Sequence, residues 1–290
     1  MKNLVLLLLF SCSLSYGQQK PLKIFISVDM EGIGGIGTPK MVSSSGKDYA
    51  LGRKLMTAEV NAVVEAIFEQ GDAEILVNDS HGDMQNLLHV ELDPRVEYLQ
   101  SNIKPLGMVQ GLDASFDAVI FIGYHTRAGT ENGFLSHTGS GSVKGLWING
   151  TEVGEGGLNA HFAGALGVPV ILASGDKAFA EQIQELFPIK TVSTKEAVGS
   201  SAARMIHPEK VRELLKAQTK AALRGLSKAK PLTVKEPTTF RIKLASPTHA
   251  DVVMSIPGMK RIDGFTIEYE AESMDSAYRM IRIIYKYIKW

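Results

Sequence analysis

The sequence predicts an α/β fold: a mostly parallel sheet with helices on both faces, followed by a smaller α+β C-terminal unit. Short, strongly apolar runs alternate with segments of helical periodicity up to about residue 190, which is the pattern of β-α-β units. Beyond residue 190 this alternation ends, and a charged helix is followed by strands and a final helix. We therefore expect an α/β domain over residues 18–190 and an α+β domain over residues 191–290.

The composition is that of a globular protein with a substantial core. The chain has 290 residues, of which 44% are hydrophobic and 21% are charged. Lysine and arginine total 31, and so do aspartate and glutamate, so the formal net charge is zero. A chain without a basic excess has no field to attract nucleic acid or an anionic membrane, and we expect neither as a partner.

The first 17 residues have the pattern of a signal peptide. Lys2 precedes an apolar run over residues 4–10, and small residues follow up to Gly17. The run is too short for a stable membrane span. We expect cleavage before Gln18 and an exported protein, either periplasmic or secreted. Lipidation at Cys12 is the less favoured alternative, because Phe10 fits a lipobox poorly.

Cleavage before Gln18 would leave the mature chain without cysteine, and disulfides and thiolate metal sites would then be excluded. Cys12 is the only cysteine, and it lies inside the predicted signal peptide. Any metal would therefore be bound by histidines and carboxylates.

The elements predicted for the first half of the chain follow from periodicity. Residues 23–29 read as a buried strand, because Ile24, Ile26 and Val28 alternate with Phe25 and Ser27 and both sets are largely apolar. Residues 47–70 have apolar side chains at helical spacing, and Gly71 ends that helix. Further predictions are strands at 74–79 and 118–124, a short helical or turn segment at 105–112, and a hairpin at 146–154 that turns at Asn149-Gly150.

The second half is predicted in the same way. A helix at 156–167 ends at Gly167, a buried strand spans 169–174, and helices span 177–186 and 208–227. A lysine-rich loop separates these from two strands, FRIKLA and GFTIEYEA. The last helix has one apolar face, which suits either an intramolecular core or an interface; its residues are Ala277, Met280, Ile281, Ile284 and Ile288.

Side chains able to bind metal follow several of the predicted strands. Because ligands of open parallel sheets bind outside the carboxyl ends of the strands, residues distant in sequence can meet there. Oxygen and nitrogen ligands of this kind suit one or two divalent metals and point to metal-assisted hydrolysis. The candidates are Asp29 and Glu31, Asp79 and His81, His125, and Glu155 after the hairpin.

Each candidate also has an ordinary structural interpretation. Asp29 or Asp79 could cap a turn, and Glu31 could be solvated. Glu155 could merely begin a helix, where a carboxylate interacts favourably with the helix dipole. The joint placement of these residues, rather than any one of them, supports a metal site.

The remaining histidines divide into two classes. His137 lies in a glycine-rich loop, where a histidine that does not bind metal could serve as general acid or base or stabilise an oxyanion; a loop histidine without a role is the alternative. The others have no strand-end placement and are interpreted as structural or exposed: His89, His161, His207 and His249.

Other motifs are weak or absent. Gly32, Gly34 and Gly37 superficially match a dinucleotide fingerprint, but Thr38-Pro39 follows instead of a helix. Neither a GxSxG elbow nor a P-loop occurs in the sequence.

Five ordered motifs resemble the D-aminopeptidases of the M55 metallopeptidase family. They are SVDMEGIGG at 27–35, VNDSHGDMQNL at 77–87, GYHTRAGT at 123–130, LSHT at 135–138 and VGEGGLNA at 153–160. The resemblance extends from about residue 23 to the C-terminus and is clearest up to about residue 176. It implies two zinc ions per chain.

The resemblance assigns roles to the candidate residues. It implies that Asp29 bridges the two zinc ions, that Glu31 and His81 complete one site, and that His125 and Glu155 complete the other. His137 matches the histidine thought to be catalytic in the family, so we expect a catalytic role for it. The family forms a homo-oligomer, a decameric ring, and releases N-terminal D-amino acids from short peptides such as D-Ala-D-Ala.

These observations together predict an exported zinc-dependent aminopeptidase that uses a metal-bridging hydroxide. The looser loop between His125 and the hairpin leaves substrate choice more open than metal binding, since loops shape pockets. Two alternatives remain: a dimetal hydrolase acting on another amide or a phosphoester, and a non-catalytic exported protein that binds D-peptides.

Overall fold

The computed structural model describes residues 20–287, which form two sheets. The predicted signal peptide, Cys12 and Ile288 lie outside the described residues. No helix within this range is both long enough and apolar enough to cross a membrane. The strands, in chain order, are β1 (Leu22–Val28), β2 (Ala73–Asp79), β3 (Glu97–Leu99), β4 (Ala118–Tyr124), β5 (Val143–Ile148), β6 (Thr151–Glu152), β7 (Val170–Asp176), β8 (Lys190–Gly199), β9 (Ala202–Met205), β10 (Thr238–Leu244), β11 (Lys260–Arg261) and β12 (Thr266–Ala271). The helices are α1 (Tyr49–Phe68), α2 (Glu155–Ala165), α3 (Lys177–Leu186), α4 (Pro208–Arg224), α5 (Pro247–Val253) and α6 (Met274–Tyr287).

The main sheet has seven strands in the order β3-β2-β1-β4-β7-β8-β9. Every pairing in it is parallel except that of β8 with β9. The predicted mostly parallel sheet is therefore confirmed. The segment predicted to be helical or a turn at 105–112 contains a short 3-10 turn at Gly107–Val109.

Helices cover both faces of the main sheet, as predicted. On one face, Ile24 and Ile26 of β1 belong to a core shared with Val60 of α1 and Leu215 of α4. On the other face, Phe25 belongs to a core that includes side chains of α2, α3 and α6. Because β1 is buried on both faces, it contributes apolar side chains to both cores.

The second sheet is antiparallel, in the order β11-β12-β10-β5-β6. The β5–β6 hairpin turns at Asn149-Gly150, where φ is 49° and 87°, the left-handed values that such turns require. The apolar face of α6 is buried in the core of the same chain, with Ile281 and Ile284 almost fully enclosed. That face is thus an intramolecular core, one of the two options predicted.

Strand pairing crosses the predicted boundary at residue 190 in both directions. β8 and β9 follow residue 190 and yet belong to the main sheet, while β5 and β6 precede it and belong to the second sheet. Whether the two parts of the chain fold as separate domains stays a prediction. The sheets themselves are not divided at residue 190.

Candidate metal centre

All five residues predicted to bind metal lie at the carboxyl edge of the main sheet. Asp29 and Glu31 follow β1, His81 follows β2 and His125 follows β4, and these three strands are neighbours in the sheet. Glu155 is the first residue of α2, directly after the β5–β6 hairpin. Two groups of potential ligands result, and the ligand atoms within each group lie within 4.8 Å of one another.

The first group consists of Asp29, Glu31 and His81. The Nδ1 atom of His81 lies 3.2 Å from Oδ1 of Asp29 and 3.0 Å from Oε2 of Glu31. Asp29 and Glu31 are only 2% and 5% exposed. Two carboxylates and an imidazole are thereby removed from water and directed at one small volume.

The second group consists of His125, His137 and Glu155. The Nε2 atoms of both histidines lie 3.6 Å from Oε1 of Glu155, and the two rings stack with centroids 4.0 Å apart. The same Glu155 oxygen accepts a hydrogen bond from the Gly139 backbone N–H at 2.6 Å. His137 therefore comes within reach of the second group, while its catalytic role stays a prediction.

When neutral, the three imidazoles present unprotonated nitrogens to the carboxylates. In each ring the other nitrogen lies at hydrogen-bond distance from a backbone carbonyl: Val42 for His81, Thr126 for His125 and Leu135 for His137. A carbonyl accepts only, so that nitrogen must carry the proton, and the nitrogen facing the site is then an acceptor in the neutral ring. Acceptors facing carboxylate oxygens require a cation or an additional proton between them.

Asp29 connects the two groups. Its Oδ1 faces His81, whereas its Oδ2 lies 3.4 Å from Nε2 of His125. Both Oδ2 of Asp29 and Nε2 of His125 are buried without a hydrogen-bond partner within residues 20–287. Leaving buried polar atoms unpaired is costly, so these two atoms fit a bound cation. Buried carboxylate oxygens and imidazole nitrogens, without thiolates, are a donor set that zinc accepts.

The electrostatics of the site match a place for cations. Burial, and then the Glu31 carboxylate, raise the pKa of Asp29 well above its ordinary value. Burial also disfavours the Glu31 carboxylate, but His81, His125 and His137 outweigh it and hold the pKa of Glu31 well below its usual range. For His81, burial opposes the charged ring, yet Glu31 and Asp29 outweigh burial and raise its pKa well above normal. Shifts of this kind cluster at functional sites.

Asp79 is the strand-end carboxylate that does not face the metal groups. Its Oδ2 accepts hydrogen bonds from the backbone N–H groups of Asn86 and Leu87, at 2.6 and 2.8 Å. This is the turn-forming alternative considered from the sequence. Asp79 thus organises the loop that follows His81 and binds none of the site residues through its side chain.

Two histidines without strand-end placement have structural contacts. His161 is buried in α2 with Nδ1 2.7 Å from the Gly157 carbonyl, and His207 caps α4 by accepting from the N–H of Glu209. His89 is exposed beside the ring of Tyr98. These positions agree with their interpretation as structural or exposed residues.

Lys195 of β8, which sequence reasoning missed, supports the loop that carries Glu31. It is 2% exposed, and its Nζ donates to the carbonyls of Glu31 and Ile36 at 2.5 and 2.7 Å. Glu59 of α1 accepts from the Gly34 N–H of the same loop at 2.6 Å. In the sequence, Lys195 sits in a run of mixed polar residues that resembles a solvated strand, so only the fold reveals its burial.

Replacing Lys195 with methionine is expected to lower the free energy of unfolding by about 2–4 kcal/mol and to weaken metal binding. Two buried carbonyls lose their donor, and the Glu31 loop loses its anchor. Urea unfolding and zinc titration measure the two effects. Lys190→Met is the matched control, because Lys190 is exposed at the start of the same strand. Equal stability and zinc affinity in the Lys195 variant and the wild type would contradict this role.

A cavity lies beside the two ligand groups. Asp29, His137 and Glu155 contribute to its lining, and α6 forms another wall with Tyr278, Arg282 and Tyr285. The sequence reasoning did not connect the last helix with the site, because the contact depends on how the second sheet packs.

Three comparisons relate the chain to known proteins. The family model of the M55 peptidases, described as D-aminopeptidase, matches residues 22–283. The D-aminopeptidase of Bacillus subtilis (strain 168) is 37% identical over 265 residues, which is 91% of this chain and 96% of that protein. A solved structure, the Zn-dependent D-aminopeptidase DppA from Bacillus subtilis, a self-compartmentalizing protease, is 36% identical. It superposes with a TM-score of 0.90 over 92% of this chain and 98% of its own.

Proposed function

The chain belongs to the M55 peptidase family of D-aminopeptidases, and from this premise we propose that it is a zinc-dependent aminopeptidase releasing N-terminal D-amino acids from short peptides such as D-Ala-D-Ala. The observation that carries the proposal is the pair of ligand groups joined by the Asp29 carboxylate. The similarity to D-aminopeptidases, one of them zinc-dependent, supports both the metal and the substrate class.

The residues of the site have two kinds of proposed role, metal binding and proton transfer. Glu31 and His81 would hold one zinc ion, His125 and Glu155 the other, and Asp29 both. Zinc held there would supply a hydroxide near neutral pH and polarise the scissile carbonyl. His137 lines the cavity, and its side chain is 37% exposed, so it can reach a bound peptide. We assign it the transfer of a proton to the leaving amine or the stabilisation of the oxyanion.

Hydrolysis of D-Ala-D-Ala beside L-Ala-L-Ala by zinc-loaded protein tests the proposal, with the metal content read on the same sample. We expect cleavage of the D-peptide in preference to the L-peptide, about two metals per chain, loss of turnover with EDTA and recovery with zinc. Two bound metals without cleavage of either peptide would contradict the proposed substrate but not the proposed metal site. Absence of bound metal would contradict the ligand assignment. A phosphoester assay on the same preparation tests the alternative, in which the dimetal site hydrolyses a phosphoester instead of a peptide.

We also propose that the chain is exported and that its copies assemble into a homo-oligomer, with a decameric ring as the expected form. The signal-like pattern of residues 1–17 supports export. The similarity to a self-compartmentalizing protease supports assembly. N-terminal sequencing of protein from the exported fraction and light scattering of the purified protein measure these two properties.

A further inference from the structure

The wall of the cavity formed by α6 carries donors without acceptors. Nε and Nη2 of Arg282 and the hydroxyl of Tyr285 are buried and have no hydrogen-bond partner among the described residues. Tyr285 is 3% exposed, and both side chains line the cavity beside Asp29 and Glu155. By contrast, the neighbouring hydroxyl of Tyr278 donates to Oδ1 of Asn159 at 2.7 Å. Unpaired buried donors are rare and costly, which indicates that an acceptor from outside completes them.

Both side chains are held in place by close backbone contacts. The guanidinium of Arg282 rests on Gly107, where an added Cβ would lie 2.4 Å from Cζ, and Gly107 has a left-handed φ of 48°. The ring of Tyr285 lies against Gly139, where an added Cβ would lie 1.9 Å from Cε2. The N–H of Gly139 donates to Glu155, so only one residue separates the Tyr285 ring from a zinc ligand. A short molecule can therefore contact both ends of the cavity.

Both signs of charge line the cavity. The metal groups are rich in carboxylates, whereas α6 contributes Arg282 and Lys286, whose charges act on nearby Lys104. Burial, opposed in part by Asp79 and reinforced by Arg282 and Lys286, lowers the pKa of Lys104 to about 8. Cations close enough to disfavour one another in a half-buried place would be stabilised by an anion.

We propose that Arg282 and Tyr285 form a subsite for the free C-terminal carboxylate of the peptide substrate. The inference rests on the proposed function and specifies its substrate class as short peptides with a free carboxyl end. The guanidinium presents two donors that match the two oxygens of a carboxylate, and the Tyr285 hydroxyl adds a third. The scissile carbonyl then lies at the metal groups while the opposite end of the peptide is bound by α6.

The test compares D-Ala-D-Ala with its C-terminal amide, which has nearly the same shape and lacks the charge. With the zinc-loaded wild type we expect kcat/KM for the acid to exceed that for the amide by about 10- to 100-fold. Arg282→Met is expected to lower this ratio to about one and to raise KM for the acid. Arg279→Met is the matched control, since Arg279 is exposed on the same helix and paired with Asp275; its ratio should equal that of the wild type.

The outcomes separate this inference from the proposed function. A wild-type ratio of about one, or an Arg282→Met variant that keeps the wild-type ratio, would overturn the subsite. If the wild type cleaves neither peptide, the proposed function fails, and calorimetric binding of the same two peptides to the same zinc-loaded protein still decides on Arg282. If Arg282→Met does not fold, Arg282→Lys and Tyr285→Phe replace it: a reduced ratio in either supports the subsite, and unchanged ratios in both overturn it.

Discussion

Asp29→Asn is expected to abolish turnover, with kcat/KM at least about 1,000-fold below the wild type, and to reduce bound zinc from about two ions per chain to fewer than one. The two oxygens of Asp29 face different ligand groups, so a neutral amide weakens both groups at once. Asparagine has the same shape and retains an oxygen for the Met30 N–H, which Oδ1 of Asp29 accepts at 2.8 Å. The local backbone should therefore be unaffected.

Metal analysis, steady-state kinetics and thermal unfolding of metal-free protein check this result together. The metal-free variant should be no less stable than the metal-free wild type, because the substitution removes a buried carboxylate that Glu31 and Glu155 repel. Asp72→Asn is the control, since Asp72 is exposed just before β2, at the opposite edge of the sheet. Retention of two zinc ions by the Asp29 variant would refute the assignment of Asp29 as the shared ligand.

His137→Ala is expected to lower kcat by about 100- to 10,000-fold while both zinc ions stay bound. The side chain of His137 is 37% exposed at the cavity, whereas that of His125 is 1% exposed. Of the two stacked histidines, His125 is thus enclosed with the carboxylates, and His137 is the one that a peptide can contact. Proton transfer rather than metal affinity should be lost.

Metal content and kcat measured on the same preparation distinguish the two roles open to His137. Loss of one zinc ion in the alanine variant would show that His137 is a ligand of the second group, which the 3.6 Å separation from Glu155 also allows. His89→Ala serves as control, because His89 is an exposed loop histidine outside both groups, and its kcat should equal that of the wild type.

The candidate ligands could be located in the sequence because they follow strands with the clearest signal. β1 and β4 are buried on both faces, so their sequences are largely apolar and their ends are easy to locate. The adjacency of these strands in the sheet then brings together the residues that come directly after them, even where a single residue gives only a weak indication of metal binding. The same reasoning could not distinguish Asp79 from Asp29, because both lie at the ends of buried strands. Only the structure shows that the backbone N–H groups of residues 86–87 donate to the Asp79 carboxylate.

The parts that could not be predicted depend on contacts distant in sequence. β8 has a mixed polar sequence, yet it pairs with β7 in the main sheet and its Lys195 is buried. The cavity wall of α6 depends on how that helix packs after the second sheet forms. In the sequence, Arg282 is spaced with Arg279 and Lys286 as on one face of a helix, and such charged faces are usually solvated. The sequence therefore did not indicate that Arg282 lines a cavity.

The route of the chain through the two sheets limits how far this protein can be shortened. The hairpin that delivers Glu155 is paired in the second sheet, where β5 lies beside β10, a strand nearly a hundred residues further along. Removing the C-terminal third would expose the edge of β5 together with the buried side chains of Leu146 and Ile148, and it would also delete Lys195. A truncated protein that contains only the N-terminal half would therefore lack part of the framework that positions Glu155. Any truncation, recombination or insertion near residue 190 would have to preserve both sheets to preserve activity.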